Sequence, residues 1–213
     1  MSVEDCGTEV SPVNPDVREI YDDLGQKYDV WTLLPDRLFL DRWRRELLAG
    51  ARGEVLEVAV GTGKNLAFYP EACRVTGLDF SRAMLDEASR RARALHRPFE
   101  PREGDVTALP FADASFDTVA CTLAVCTFTE PLAALREMRR VCRPGGAVLL
   151  LEHVLPRDRP LARVAHAIAP LTRKAVGCNP DRDTLALVRE AGLHVDSVLG
   201  RARDIILAVV ARP

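Results

Sequence analysis

The sequence predicts an α/β fold built on a mostly parallel sheet, and three observations carry that expectation. Short apolar runs alternate with helix-periodic segments, the first run ends in Gly61-Thr62-Gly63, and the second ends on a carboxylate, Asp79. Such alternation builds βαβ units whose ligands bind beyond the carboxyl ends of the strands.

Residues 55–60 form the first predicted strand, which delivers its end to a loop where Gly61 and Gly63 let a ligand approach the backbone closely. Residues 74–79 form the second, and Asp79, eighteen residues after Gly61, is placed to accept hydrogen bonds from ribose hydroxyls. Ser81 then caps a helix carrying Met84, Leu85, Ala88, Ala92 and Leu95 on one face. A short strand over 99–103 leads to Gly104-Asp105-Val106, where a carboxylate suits an exocyclic amine and an apolar residue walls a purine face. Strands at 116–121 and 147–152 flank a helix that opens near Thr129-Glu130-Pro131, packs Leu132, Leu135 and Met138, and stops at Pro144-Gly145-Gly146. A helix over 181–191 and strands over 195–199 and 205–211 close the chain.

A glycine turn followed by an acid serves nicotinamide dinucleotides as well. That fingerprint, counted from Gly61, needs a third glycine at position 66, and this chain has Leu66. Adenosine without a pyrophosphate fits better.

These residues resemble the class I S-adenosylmethionine-dependent methyltransferases, of the type 11 and quinone-pathway kind. Glu57 to Gly63 is similar to that family's glycine motif, Asp79 to its ribose acid and Asp105-Val106 to its adenine pair. Residues 109–117 and 135–146 resemble its approaches to the fourth and fifth strands, and one departure is Ala59, where the family usually has glycine. The resemblance implies a Rossmann-like, seven-stranded sheet with an antiparallel terminal hairpin, and S-adenosylmethionine as cofactor with S-adenosylhomocysteine as product. It implies cofactor contacts from Glu57, Ala59, Gly61, Gly63 and Asn65, from Asp79, Phe80 and Met84, and from Asp105, Val106 and Cys121. Residues 121–126, 151–154 and 177–185 look most like small methyltransferase-like enzymes that methylate alkyl thiols, whereas Tyr21 to Asp29 is similar in style to phospholipid N-methyltransferases and quinone-pathway C-methyltransferases.

With 213 residues and 47% hydrophobic content, the chain can bury one sizeable core. The expected organisation is a single domain, with an N-terminal helical cap over 1–50 and a methyltransferase domain over 51–213 that carries a cap insertion near 154–180. Within the insertion Leu161, Val164, Ala165 and Ile168 share a face, and Pro160 and Pro170 predict only a short helix. A formal charge of −2 and 6% aromatic content disfavour nucleic acid as a partner. The acidic start lacks a secretion signal, so the expected location is cytoplasmic. Six cysteines show no metal-type pairing in sequence, and no metal is expected.

His153, at the carboxyl edge after a buried strand, is a candidate general base or substrate contact, the alternative being a loop histidine with a backbone partner. Tyr21 is a candidate catalytic residue and Tyr28 a candidate substrate contact, against simple packing of the cap. Cys178 and Asn179 are candidates to line the acceptor pocket, or to form a turn before a helix starting at Pro180. The expected function is direct transfer of a methyl group to a small hydrophobic acceptor, a thiol foremost. Phosphatidylethanolamine N-methylation, quinone C-methylation and a non-catalytic adenosyl-ligand module remain as alternatives. The basic cap leaves peripheral membrane contact open, and the oligomeric state is undetermined.

Overall fold

The computed structural model describes residues 40–156, 158–202 and 205–213. The expected cap over 1–50, with Tyr21 and Tyr28, lies almost entirely outside them. Its described part is helix α1 (Asp41–Leu48), which buries Arg44, Leu47 and Leu48.

Among the described residues seven strands form one sheet: β1 (Glu54–Val58), β2 (Arg74–Asp79), β3 (Phe99–Glu103), β4 (Phe116–Thr122), β5 (Cys142–His153), β6 (His194–Ala202) and β7 (Ile206–Arg212). Their order is β3-β2-β1-β4-β5-β7-β6. The pairs from β3 through β5 are parallel, and β7 inserts antiparallel between β5 and β6. The expected fold class is therefore the observed one.

Strand periodicity divides the core between the two faces of the sheet. Leu56, Val58, Val119 and Leu150 pack with Leu135 and Met138 of α3 (Pro131–Val141), while Val55, Ala120, Leu149 and Leu151 pack with Leu47 and Leu48. Helix α2 (Arg82–Ala94) lies against β2 and β3 and begins as expected, with the Ser81 hydroxyl accepting from the Met84 amide. Pro131 opens α3 at a position where its missing N–H costs nothing.

Three local expectations are corrected. The helix of the insertion, α4 (Arg159–Val176), runs 18 residues rather than stopping short. Pro160 sits in its first turn, where no donor is needed, and the interior Pro170 is exposed while Ala165 and Ala169 anchor the opposite face. Helix α5 (Thr184–Glu190) starts later than position 181, because Asp183 caps the Ala186 amide at 3.0 Å, so Pro180 does not begin it. Strand β5 begins at Cys142 rather than 147, passing Pro144-Gly145-Gly146 in a register break against β4. A Cβ on Gly146 would meet the Asp117 and Arg143 carbonyl oxygens at 2.8 Å, so only glycine permits that close passage.

Candidate cofactor site

The carboxyl ends of β1, β2 and β4 open into a cleft of about 280 Å³. The backbone leaves β1 through Ala59, Gly61 and Gly63, all with left-handed φ values of 53°, 54° and 73°. Only glycine adopts that region freely. Ala59 therefore adds backbone strain, and its departure from glycine is more than the volume of a methyl group. Among the described residues a Cβ on Gly61 would meet nothing within 4 Å, which leaves a bare backbone edge at the cleft. Gly63 serves a different purpose, since a Cβ there would press on Leu66 and on the Ala88 backbone of α2, and it does not line the cleft. After the turn the chain forms a single 3-10 turn, Lys64–Ala67, instead of an α-helix whose N-terminus could hold a pyrophosphate.

Asp79 ends β2 at the cleft, 5% exposed. One carboxylate oxygen accepts from the Gly61 amide at 2.8 Å and the other from the Ser81 amide at 3.0 Å. The acid thus ties the glycine loop to the start of α2. Asp105 accepts from the Thr107 amide and hydroxyl at 2.7 and 2.8 Å, a closed local turn that presents Asp105 and Val106 to the cleft. Phe80 and Met84 also line it.

Glu57 lies 2% exposed at the floor. Its Oε1 accepts from Asn65 Nδ2 at 2.7 Å and its Oε2 from the Tyr69 hydroxyl at 3.0 Å. Burial pushes its carboxyl up to about 7, against the lowering effects of Asn65, Tyr69 and Arg44. Burial and the adjacent Glu57 push the Tyr69 phenol up as well. Tyr69 and the cleft-lining Arg44 are absent from the sequence reading, because 12 residues separate Tyr69 from Glu57 and Arg44 comes from another helix.

After β4 the chain walls the cleft with Leu123, Ala124, Thr127 and Phe128. Beneath this wall Glu152, 1% exposed, accepts from the Ala124 amide at 3.2 Å and from the Cys121 thiol at 3.6 Å. Burial pushes Glu152 up to about 7 and Cys121 well up too. Cys121, expected at the cofactor, points to Glu152 and does not line the cleft. His153, Cys178 and Asn179 also lie behind the wall rather than among the lining residues. There the Cys126 and Cys178 sulfurs are 3.5 Å apart, and His153 Nδ1 is 3.9 Å from Cys126 Sγ. The Cys126 hydrogen bond holds the Cys178 thiol below its ordinary range. Burial alone would lower His153, but the neighbouring Cys178 and Glu152 carry it above its ordinary value.

The methyltransferase domain family matches residues 56–150. The chain is 38% identical over 180 residues to a demethylmenaquinone methyltransferase of Beutenbergia cavernae, covering 78% of this chain and 71% of that protein. This chain belongs to the class I S-adenosylmethionine-dependent methyltransferases. It is 42% identical over 119 residues to a phosphatidylethanolamine N-methyltransferase of Cereibacter sphaeroides, covering 55% of this chain and 59% of the relative. It is 40% identical over 113 residues to the thiol S-methyltransferase TMT1B of Homo sapiens, covering 50% and 46%. The chain thus spans roughly half to three-fifths of the length of these last two relatives. In fold it is similar to geranyl diphosphate C-methyltransferase from Streptomyces coelicolor, with a TM-score of 0.70, 14% identity, and coverage of 95% and 99%.

The cleft of this methyltransferase suits the family's cofactor, S-adenosylmethionine. Gly61 leaves the backbone bare, Val106 and Met84 offer apolar faces, and among the described residues Oδ1 of the cleft-lining Asn65 is buried with no hydrogen-bond partner. A buried acceptor beside a buried carboxyl is a seat for a cationic amine.

Proposed function

We propose that this chain transfers the methyl group of S-adenosylmethionine to a small hydrophobic acceptor, and that a thiol is the acceptor it serves best. The observation that carries this reading is the wall of Leu123, Ala124, Thr127 and Phe128, which offers an acceptor an apolar surface, the Thr127 hydroxyl being held by the Ala124 carbonyl at 2.7 Å. The likeness to a thiol S-methyltransferase supports it.

The bound cofactor supplies a methyl group already activated by its sulfonium, so the protein's work is placement. Asp79 fixes the glycine loop through Gly61 and meets the ribose at the end of β2. Asp105 and Val106 hold the adenine, while Glu57 and Asn65 seat the amino-acid end. The apolar wall keeps water from the reacting atoms, which favours attack by a thiolate, because charge is neutralised as the new bond forms. A thiol with a pKa near about 8.5 ionises without strong base assistance. Holding the nucleophile about 3–3.5 Å from the methyl carbon, in line with the leaving sulfur, supplies most of the acceleration.

A second reading, methylation of a lipid amine at a membrane surface, draws on α4. That helix exposes Leu161, Val164, Ile168 and Leu171 at 40%, 56%, 43% and 71%, with Arg163, Arg173 and Lys174 on the same helix. An exposed apolar stripe among basic residues is suited to an anionic interface. Among the described residues no helix is long and apolar enough to cross a membrane.

The test is a competition with labelled cofactor, offering hydrophobic thiols, phenols, amines, demethylmenaquinone and phosphatidylethanolamine vesicles together. Preferential labelling of thiols supports the first reading. Dominant labelling of the lipid replaces it with the second, and dominant labelling of the quinone overturns both.

A further inference from the structure

Behind the acceptor wall, three elements far apart in sequence place soft ligand atoms together. Cys126 comes from the turn after β4, His153 from the last position of β5 and Cys178 from the loop after α4. Their ligand atoms all lie within 4.8 Å of one another. A tetrahedral ion with zinc–sulfur bonds of about 2.3 Å and a zinc–nitrogen bond of about 2.0–2.1 Å sets its ligands about 3.8 Å apart for sulfur–sulfur and about 3.5 Å for sulfur–nitrogen. The sulfurs here are 3.5 Å apart, and Cys126 Sγ to His153 Nδ1 is 3.9 Å. Both are within a few tenths of an ångström of the tetrahedral edges. A disulfide needs its sulfurs at about 2.05 Å and makes no use of the imidazole.

Each ligand-bearing segment is held by its own hydrogen bonds. The Cys126 carbonyl accepts from the Asn179 amide at 3.0 Å and from Asn179 Nδ2 at 2.9 Å. The Cys178 carbonyl accepts from the Thr172 hydroxyl at 3.0 Å, and the His153 carbonyl from the Thr184 hydroxyl at 3.2 Å. Arg182 bonds to the Phe128 carbonyl at 2.9 Å and to the Val125 carbonyl, bracing the turn that carries Cys126. The site is pre-organised, which is what fixed ligands require for tight binding.

We propose that Cys126, His153 and Cys178 form a binding site for a thiophilic divalent cation of the zinc type. Two thiolates balance its charge, imidazole completes a borderline-soft ligand set, and a fourth position remains for water or an external thiolate. Bound there, the ion would stitch the turn forming the acceptor wall to the loop between α4 and α5. This proposal is independent of the acceptor's identity.

The test uses the full chain, reduced and stripped with chelator, then titrated with Co(II) as a spectroscopic probe and with Zn(II) as competitor. The expected result is one equivalent of cobalt with the thiolate charge-transfer and visible bands of a tetrahedral site, displaced by zinc. Cys178→Ser and His153→Ala, both at half-buried positions, should weaken zinc affinity by more than about 100-fold, beyond the ~10–100-fold cost of disturbing a supporting residue. Cys73→Ala should leave it unchanged. No saturable cobalt binding overturns the proposal, as does binding that survives Cys178→Ser. A reduced protein that takes up no zinc, yet on air exposure loses two hydrogens in mass by linking Cys126 to Cys178, makes the pair a redox couple and overturns it equally.

Discussion

Asp79 and Gly61 are joined by a 2.8 Å hydrogen bond from the glycine amide to the carboxylate, and this contact couples the cofactor loop to the second strand. The acid proposed to bind the ribose is at the same time a structural brace. Its second oxygen holds the Ser81 amide, so loop, strand end and helix start share one side chain.

Replacing Asp79 should therefore damage stability and binding together. Asp79→Ala removes two charge-assisted hydrogen bonds of about 1.5–3 kcal/mol each at most. We expect a stability loss of about 2–4 kcal/mol in denaturant melts and at least tenfold weaker binding of S-adenosylhomocysteine by calorimetry. A folded variant of unchanged stability would show that the loop stands without the brace.

Ala59 is a site where a smaller residue should help. At φ 53° its Cβ is strained, and glycine relieves a left-handed penalty of about 1–2 kcal/mol while adding unfolded-state entropy worth about half of that. Ala59→Gly should raise stability by roughly 0.5–1 kcal/mol. A melt showing destabilisation would contradict the strain.

Glu57 and Glu152 make stability depend on pH in a defined direction. Both are raised by burial from 4.5 to about 7, so between about pH 4.5 and 7 the folded chain keeps protons that the unfolded chain has released. Their contribution is then most favourable at the acid end of that window, falls as pH rises through it, and levels above about 7. Each carboxyl can account for up to about 3 kcal/mol. Glu57→Gln and Glu152→Gln should each flatten the slope in urea melts taken from pH 5 to 7.5.

Cofactor binding should also release protons. A cationic amine beside Glu57 favours its ionised form, so near pH 6.5 calorimetry in buffers of different ionisation enthalpy should register net proton release on binding S-adenosylhomocysteine. Glu57→Gln should abolish most of it. Proton uptake instead would place the amine elsewhere.

The acceptor reaction carries its own pH signature. With thiolate as the nucleophile, the rate of thiol methylation should climb with pH toward the thiol pKa of about 8.5 and then level. His153 stands behind the wall with Cys126 and Cys178, so His153→Gln should change that rate by less than tenfold, short of the ~10²–10⁴-fold loss when a general base is removed. A larger loss with phenols as preferred acceptors would point to base-assisted O-methylation.

What the sequence determined by itself is the set of features encoded within a few neighbouring residues. Apolar runs mark the strands, Ser81 and Pro131 mark helix starts, and Gly61, Asp79 and Asp105 each follow a strand, which puts all three along one sheet edge because parallel βαβ units bring their strand ends to the same side. Local rules misjudged α4, where burial of Ala165 and Ala169 carries the helix through Pro170. Tertiary packing alone decided the contacts between distant residues. It set Tyr69 and Arg44 around Glu57, turned Cys121 toward Glu152, and drew Cys126, His153 and Cys178 within reach of one ion. No periodicity records these meetings, since each depends on where whole elements stack once the sheet has closed its core.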